Sequence, residues 1–396
     1  MSGPAATAGP QHGAPMQFID LQAQRARIRE RLDTAIARVV ESGRYILGPE
    51  VAEFEKRLAE FLGVGQVVAC ANGTDALHIP LRALGIGPGD AVFCPSFTFA
   101  ATAEVVALAG AEPVFVDVEP DSYNIDVASL EAALAAVRAE GRLVPRAIIP
   151  VDLFGQAADY AALERIALRE DLVIVSDAAQ SIGGVRDGRR CGSFGRVAGT
   201  SFYPAKPLGC YGDGGAMMTD DADLAEVLRS IAFHGKGNGQ YDNVRVGLNS
   251  RLDTLQAAIL IEKLAILPDE MERREAVARR YIAGLGDVAR VPRVPAGSRS
   301  AWAQFAIECE DRDRLRAGLA EAGIPSVVYY EKPLHLQRAY AHCPRAPHGL
   351  PVSEGLSARI LCLPMHPYLA ADDQDRIIEA VRAVLAPAGL RHAAAR

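Results

Sequence analysis

The stretch Gly199-Thr200-Ser201-Phe202-Tyr203-Pro204-Ala205-Lys206-Pro207-Leu208-Gly209-Cys210-Tyr211-Gly212-Asp213-Gly214-Gly215 decides how the rest of the chain reads. Lys206 is the only basic residue between Arg196 and Arg229; it follows a short apolar strand and stands between Pro204 and Pro207, ahead of a glycine-rich turn. An amine fixed in so crowded and weakly charged a turn is partly withdrawn from water. That favours the neutral form, which attacks carbonyls, and makes Lys206 a candidate Schiff-base former. Upstream, the apolar run Leu172-Val173-Ile174-Val175 ends in Ser176-Asp177-Ala178-Ala179-Gln180, which puts the Asp177 carboxylate at the carboxyl end of a buried strand.

Pyridoxal phosphate chemistry asks a protein for these two groups: a lysine to hold the cofactor and a carboxylate to keep its pyridine nitrogen protonated as an electron sink. Alone, a strand-end aspartate reads as a helix cap and a single lysine as a solvated charge. The signal is the pair.

With 396 residues and 49% hydrophobic content, the chain can bury a sizeable core. A net charge of -7 and a pI near 5.7, without long acidic or basic runs, argue against nucleic acid or an anionic membrane surface as partner. The basic residues from Arg25 to Arg31 read as a solvated helix face. Seven scattered cysteines, odd in number and without C-x-x-C spacing, suggest reduced thiols in a cytoplasmic protein. The eight histidines form no ligand-spaced cluster, so no metal is expected. No apolar stretch approaches the roughly 20 residues needed to span a bilayer. Residues 1–15 lack the features of a signal peptide and are expected to be a disordered tail.

Ordered sequence is expected to begin at Met16–Asp20, followed by a charged helix to about Ser42. A second follows Gly48, with Val51, Phe54, Leu58, Phe61 and Leu62 on one face. Strand-like runs at 67–71, 91–95, 113–118, 146–151, 172–176, 199–203 and 215–219 alternate with helical patterns for most of the way, the signature of a largely parallel, covered α/β sheet. The last two runs lie too close together for that rhythm. A long charged helix at 268–285 opens a smaller α/β domain, with strands near 302–309 and 325–330 and helices near 311–322 and 371–386. The expected division is a large domain over 16–264 and a small one over 265–396, with a frayed end beyond Leu385.

Gly73 and Thr74, in Ala69-Cys70-Ala71-Asn72-Gly73-Thr74-Asp75-Ala76-Leu77, join a strand to a helix and offer amides and a hydroxyl to an anion such as a phosphate. In Pro95-Ser96-Phe97-Thr98-Phe99-Ala100-Ala101-Thr102 one phenylalanine could stack on a flat ring, Phe97 being the one that reads as core. The run Gly235-Lys236-Gly237-Asn238-Gly239 follows a helix rather than a strand, so it reads as a flexible loop and not a dinucleotide fingerprint. Asn249 and Arg251 precede a helix and could bind a phosphate and a carboxylate respectively, or simply cap it. His335 stands out as a polar element of an aromatic loop.

Together RYILGPEVAEFE, ANGTDAL, PSFTFAAT, SDAAQSIGG, SFYPAKPLGCYGDGGA, NSRLDTLQAA and YYEKPLHLQ resemble the DegT-type family of pyridoxal phosphate-dependent sugar aminotransferases, from Met16 to about Leu385. The resemblance implies fold type I: a mostly parallel seven-stranded sheet, a small C-terminal domain, and a homodimer with shared active sites. It assigns the cofactor linkage to Lys206, the pyridine partner to Asp177 and the ring-oxygen contact to Gln180. The phosphate would fall to Gly73, Thr74, Ser201 and the partner subunit's Asn249, and ring stacking to Phe99. Family members that are dehydratases carry histidine in place of this lysine. Within the family the chain looks most like enzymes that aminate UDP-2-acetamido-2-deoxy-3-keto-glucuronic acid with L-glutamate for surface polysaccharide. Arg251 would then meet the C6 carboxylate, and Tyr330 and His335 would line the sugar pocket. The Glu331-Lys332 pair and the 235–239 loop depart from the commoner pattern. A 4-keto-6-deoxyhexose or cyclitol-ketone aminotransferase, or a cofactor-binding regulator without turnover, are the alternatives.

Overall fold

A computed structural model describes residues 15–239 and 241–386; the tail expected over 1–15 and the end beyond Leu385 fall almost wholly outside the described residues. The principal sheet has seven strands: β1 (Gln66–Cys70), β2 (Asp90–Pro95), β3 (Glu112–Val116), β4 (Val144–Ile148), β5 (Val173–Asp177), β6 (Val197–Ser201) and β7 (Gly215–Thr219). Their order across the sheet is β1-β7-β6-β5-β4-β2-β3. Neighbours from β6 to β3 are parallel, and β7 is antiparallel to both β1 and β6. A parallel return needs a crossover of a dozen or more residues, usually helical. Residues 202–214 are instead folded into the lysine turn, so β7 comes straight back beside β6, which explains the broken rhythm in the sequence.

Strands such as β2, buried along Ala91–Pro95, carry unbroken apolar runs because helices cover the sheet. The helix Pro49–Leu62 shows how: Gly48 precedes it, Pro49 starts it, Gly63 at φ 73° stops it, and Val51, Phe54, Leu58 and Leu62 are buried at helical spacing. Phe54 meets Phe202 edge-on at 5.2 Å, so this helix supports the root of the lysine turn. Each such fully buried side chain contributes about 1.5–3 kcal/mol. The expected N-terminal helix is two, Leu21–Arg27 and Arg29–Ser42, broken at Ile28.

Both edges of the sheet are covered. On β1 the Ala69 N–H donates to Glu55 at 2.8 Å and the Val67 carbonyl accepts from Arg229 at 3.2 Å, while Arg229 and Glu55 pair at 3.0 Å. On β3, Phe115 exchanges backbone hydrogen bonds with Pro344 and Ala346.

A second, two-stranded antiparallel sheet joins β8 (Phe305–Glu308) to β9 (Ile360–Leu363), with helices Leu267–Leu285, Arg312–Glu321 and Ala371–Leu385 around it. The expected strand at 325–330 is corrected: Pro325 offers no N–H, and only Val327 bridges to Cys362 before the chain turns toward the cleft. Its place is taken by Ile360–Leu363, a four-residue apolar run without turn signals of its own. The core here, built on Trp302, Tyr281 and Phe305, extends to Phe97, Leu153 and Phe154 beneath the carboxyl edge of the large sheet. The two cores thus meet where the strand ends open.

Candidate active site

At that carboxyl edge lies a cleft of about 730 Å³, walled by Gly73, Thr74, Phe99, Asp177, Gln180, Ser201, Lys206 and Tyr330 among others. All of these but Tyr330 follow directly from where strands end. Asp177 closes β5 and Ser201 closes β6, and the turn after β6 presents Lys206. The Lys206 N–H donates to the Tyr203 carbonyl at 2.9 Å, fixing the turn's first corner. Burial pushes the Lys206 amine below its ordinary pKa, and the Asp177 charge pulls the other way.

Asp177 is buried, and that burial raises its pKa. The Ala179 N–H at 3.2 Å, the Lys206 charge and the Thr102 hydroxyl at 3.1 Å counter the rise by favouring the carboxylate. Gln180 accepts from the Phe154 N–H at 2.9 Å, which orients its amide, and its Nε2 lies 3.5 Å from the Tyr330 hydroxyl.

The helix Gly73–Ala83 is capped by Asn72, whose side chain accepts from the Asp75 N–H at 2.8 Å. A Cβ on Gly73 would stand 2.5 Å from Ser201 Cβ, so only glycine lets the helix start approach β6 this closely. Free amides, the Thr74 and Ser201 hydroxyls and the positive helix end together suit a phosphate. Phe99 is 58% exposed on the cleft wall, free to cover a ring, whereas Phe97 is fully buried against Tyr330.

Three sequence candidates lie off this wall. Asn249 is exposed and accepts from Arg251 at 2.5 Å, and the Arg251 guanidinium lies over the Phe233 ring at 4.9 Å. His335 is buried, with Nδ1 at 2.6 Å from the Ser96 hydroxyl and Nε2 at 3.2 Å from Glu354, so it anchors the loop that brings Gln337 to the cleft. Burial depresses its pKa.

Several contributors escape a reading by residue type. Thr102 holds Asp177. Phe154 occupies φ 57°, where bulky side chains are rare, while lining the cleft. Asp152 is buried beneath the site, accepts from Ala158 N–H, Tyr160 and Ser181 at 3.0, 2.8 and 2.7 Å, and donates its own N–H to the Asp177 carbonyl at 3.0 Å. Burial raises its carboxyl to about 6. The signal was Val151-Asp152-Leu153-Phe154-Gly155 directly after a buried strand. Among the described residues no group of three or more potential ligands could hold a metal ion, and no helix is long and apolar enough to cross a membrane.

An amine lowered in pKa facing a buried carboxylate, with a phosphate-suited helix end beside them at the carboxyl edge of a mostly parallel sheet, defines a pyridoxal phosphate-dependent enzyme. Residues 26–382 match the DegT/DnrJ/EryC1/StrS aminotransferase family, and the chain belongs to that family of sugar aminotransferases. It is 48% identical over 357 residues to the UDP-2-acetamido-2-deoxy-3-oxo-D-glucuronate aminotransferase of Pseudomonas aeruginosa, covering 89% of this chain and 96% of the relative. A DegT DnrJ EryC1 StrS aminotransferase from Brucella abortus is 69% identical in its crystal structure, with a TM-score of 0.93 and coverage of 94% of this chain and 100% of that one. NtdA from Bacillus subtilis, solved with bound cofactor PMP, has a TM-score of 0.82 at 30% identity, covering 93% of this chain and 83% of its own. Pyridoxal 5'-phosphate is accordingly the cofactor, and the cleft's donors suit it.

Proposed function

We propose that this aminotransferase takes its amino group from L-glutamate and delivers it to the 3-ketone of UDP-2-acetamido-2-deoxy-3-oxo-glucuronic acid, in cytoplasmic synthesis of bacterial surface polysaccharide. The likeness to the Pseudomonas enzyme over nearly the whole chain is the observation that carries the substrate.

Bound pyridoxal phosphate supplies an aldehyde carbon and an electron-withdrawing ring. In this reading Gly73, Thr74 and Ser201 hold the phosphate, Phe99 covers the ring, Gln180 meets its ring oxygen, and Asp177 keeps the pyridine nitrogen protonated. Lys206 would hold the cofactor at rest. With glutamate bound, its neutral Nζ would take the donor's α-proton, the amino group would stay with the cofactor, and 2-oxoglutarate would leave with its ketone oxygen taken from water. In the second half the same Nζ would deliver a proton to the sugar's C3, the amino group would replace the ketone oxygen, and that oxygen would leave as water. Depression of the lysine's pKa by burial supports this role, because a base must be unprotonated to act. Ping-pong kinetics follow.

The reading places Asn249 and Arg251 in the cleft of a second copy, as phosphate and carboxylate ligands across a homodimer. Support comes from the surface on their side: Tyr45, Ile46 and Leu47 are exposed, and Ile46 bridges to Asp253. Exposed apolar runs of this kind mark association surfaces. Asn249→Ala should lose cofactor more readily. Its heterodimer with Lys206→Ala should regain activity, since one hybrid site carries both intact residues. Verified heterodimers without recovery would mean that one chain builds each site.

Arg251→Ala tests the sugar. Removing one partner of a desolvated, bidentate charge pair costs about 2–5 kcal/mol. Single-turnover measurements should show the sugar half-reaction sharply slowed and the glutamate half-reaction nearly unchanged. A defect confined to the glutamate step, or equal amination of a 6-deoxy-4-keto sugar by the wild type, would replace the uronate with the deoxyhexose reading.

A further inference from the structure

A second lysine, Lys263, lies behind the Lys206 turn. It belongs to the helix Thr254–Leu264 and is 1% exposed, yet among the described residues its ammonium has no carboxylate within ion-pair distance. Glu270, the carboxylate whose charge acts on it, is bonded instead to Gln24 and Tyr368. An ammonium withdrawn from water without a counter-ion is costly and needs compensation. Its compensation is the turn itself. Lys263 Nζ donates to the Gly209 carbonyl at 2.7 Å and sits 4.2 Å above the ring of Tyr211.

The same helix grips the turn a second time. Gln256 accepts from the Tyr211 N–H at 2.8 Å and lies 3.4 Å from its carbonyl. Gly209 in turn is packed so tightly that a Cβ would stand 2.5 Å from the Pro204 carbonyl and 2.7 Å from that of Tyr203. Residues 203 and 204 form the corner that carries Lys206. Fixing Gly209 therefore fixes the backbone from which the catalytic amine projects.

We propose that Lys263 is a positioning residue for amino transfer: through the Gly209 carbonyl and the Tyr211 ring, its ammonium locks the turn that presents Lys206. The inference rests on Lys206 being the reacting amine.

Lys263→Met keeps the volume and removes both charge and donor, whereas Lys263→Gln restores a neutral donor one atom shorter. In the holoenzyme, Lys263→Met should lower kcat about 10–100-fold with little change in KM for the amino donor, and Lys263→Gln should fall between it and the wild type. Two further readouts separate positioning from mere support. Amide hydrogen exchange should accelerate at Lys206 and Cys210, bonded to Tyr203 and Phe202, while the strands of the sheet keep their protection. The pH at which the cofactor's visible band titrates should also move. Wild-type kcat, local exchange and titration in Lys263→Met would overturn the proposal. If Lys263→Met does not fold, Lys263→Gln decides: global loss of protection without a selective change at Lys206 and Cys210 would make Lys263 a core residue only. Should Lys206→Ala prove fully active, the reading beneath the proposal fails, whatever the exchange shows.

Discussion

Replacing Lys206 with alanine should leave a folded, cofactor-binding protein that no longer turns over. The wild type should be yellow and lose its visible band on addition of L-glutamate alone, because the first half-reaction needs no sugar. In Lys206→Ala that change should slow by about 10⁴-fold or more, since on the proposed reading one substitution removes both the covalent anchor and the proton-transferring base. Few tolerable substitutions reach that size. Lys206 contributes little to the core, as it stands on a turn secured by Tyr203, Gly209 and Tyr211 rather than by its own side chain. Stopped-flow absorbance with glutamate, alongside a thermal melt, measures both halves of the expectation. Glutamate-driven turnover without an added external amine would remove Lys206 from the base's role.

Asp177→Asn should retain the cofactor and still transaminate about 10²–10³-fold more slowly, the scale set by losing one preorganised electrostatic partner. The amide can preserve the shape and still accept from the Ala179 N–H through its oxygen, with its Nδ2 donating to the Thr102 hydroxyl oxygen in place of the native bond. It cannot keep a pyridine nitrogen protonated. The native carboxylate resists the neutralising effect of its own burial through those two hydrogen bonds and the Lys206 charge. A pyridinium at the same place adds another opposite charge and favours ionisation further. Half-reaction rates at matched cofactor occupancy decide the matter. Near-native rates would leave Asp177 as no more than a cap at the end of β5.

The sequence carries the site wherever chemistry and placement coincide. Lys206 and Asp177 stand out because together they are the amine and carboxylate that one cofactor needs, placed at and just beyond strand ends, and the helix start at Gly73 is written in Asn-Gly-Thr. Thr102 could not be found in this way, since it gains meaning only from what it touches, while Asp152 and Phe154 offered no more than their place directly after a buried strand. The seven strands appear within a few residues of their expected places because alternation of apolar runs and helices leaves few other arrangements. The small sheet was less legible. Residues 325–330 have strand-like composition, but Pro325 and the approach to the cleft prevent a ladder, while Ile360–Leu363 is too short to announce itself. The break at Ile28 has no glycine or proline to signal it. Asn249 and Arg251 read as ligands from their types but lie off the cleft of their own chain.

The guarded outer edge of β1 matters before the protein is finished. Cys70 finds its sheet partner in Gly215, so QVVAC must wait through synthesis of everything between. At about 5–20 residues per second that delay is on the order of ten seconds, during which an apolar strand is available to pair with other nascent chains. Glu55 precedes β1 in the chain and can take up the Ala69 amide as soon as its helix forms, while Arg229 is synthesised only after β7. One flank is thus chaperoned locally and early, and the other accepts β7 late. Because β7 follows directly on the lysine turn, the strand that covers β1 is also the one that closes the turn carrying Lys206.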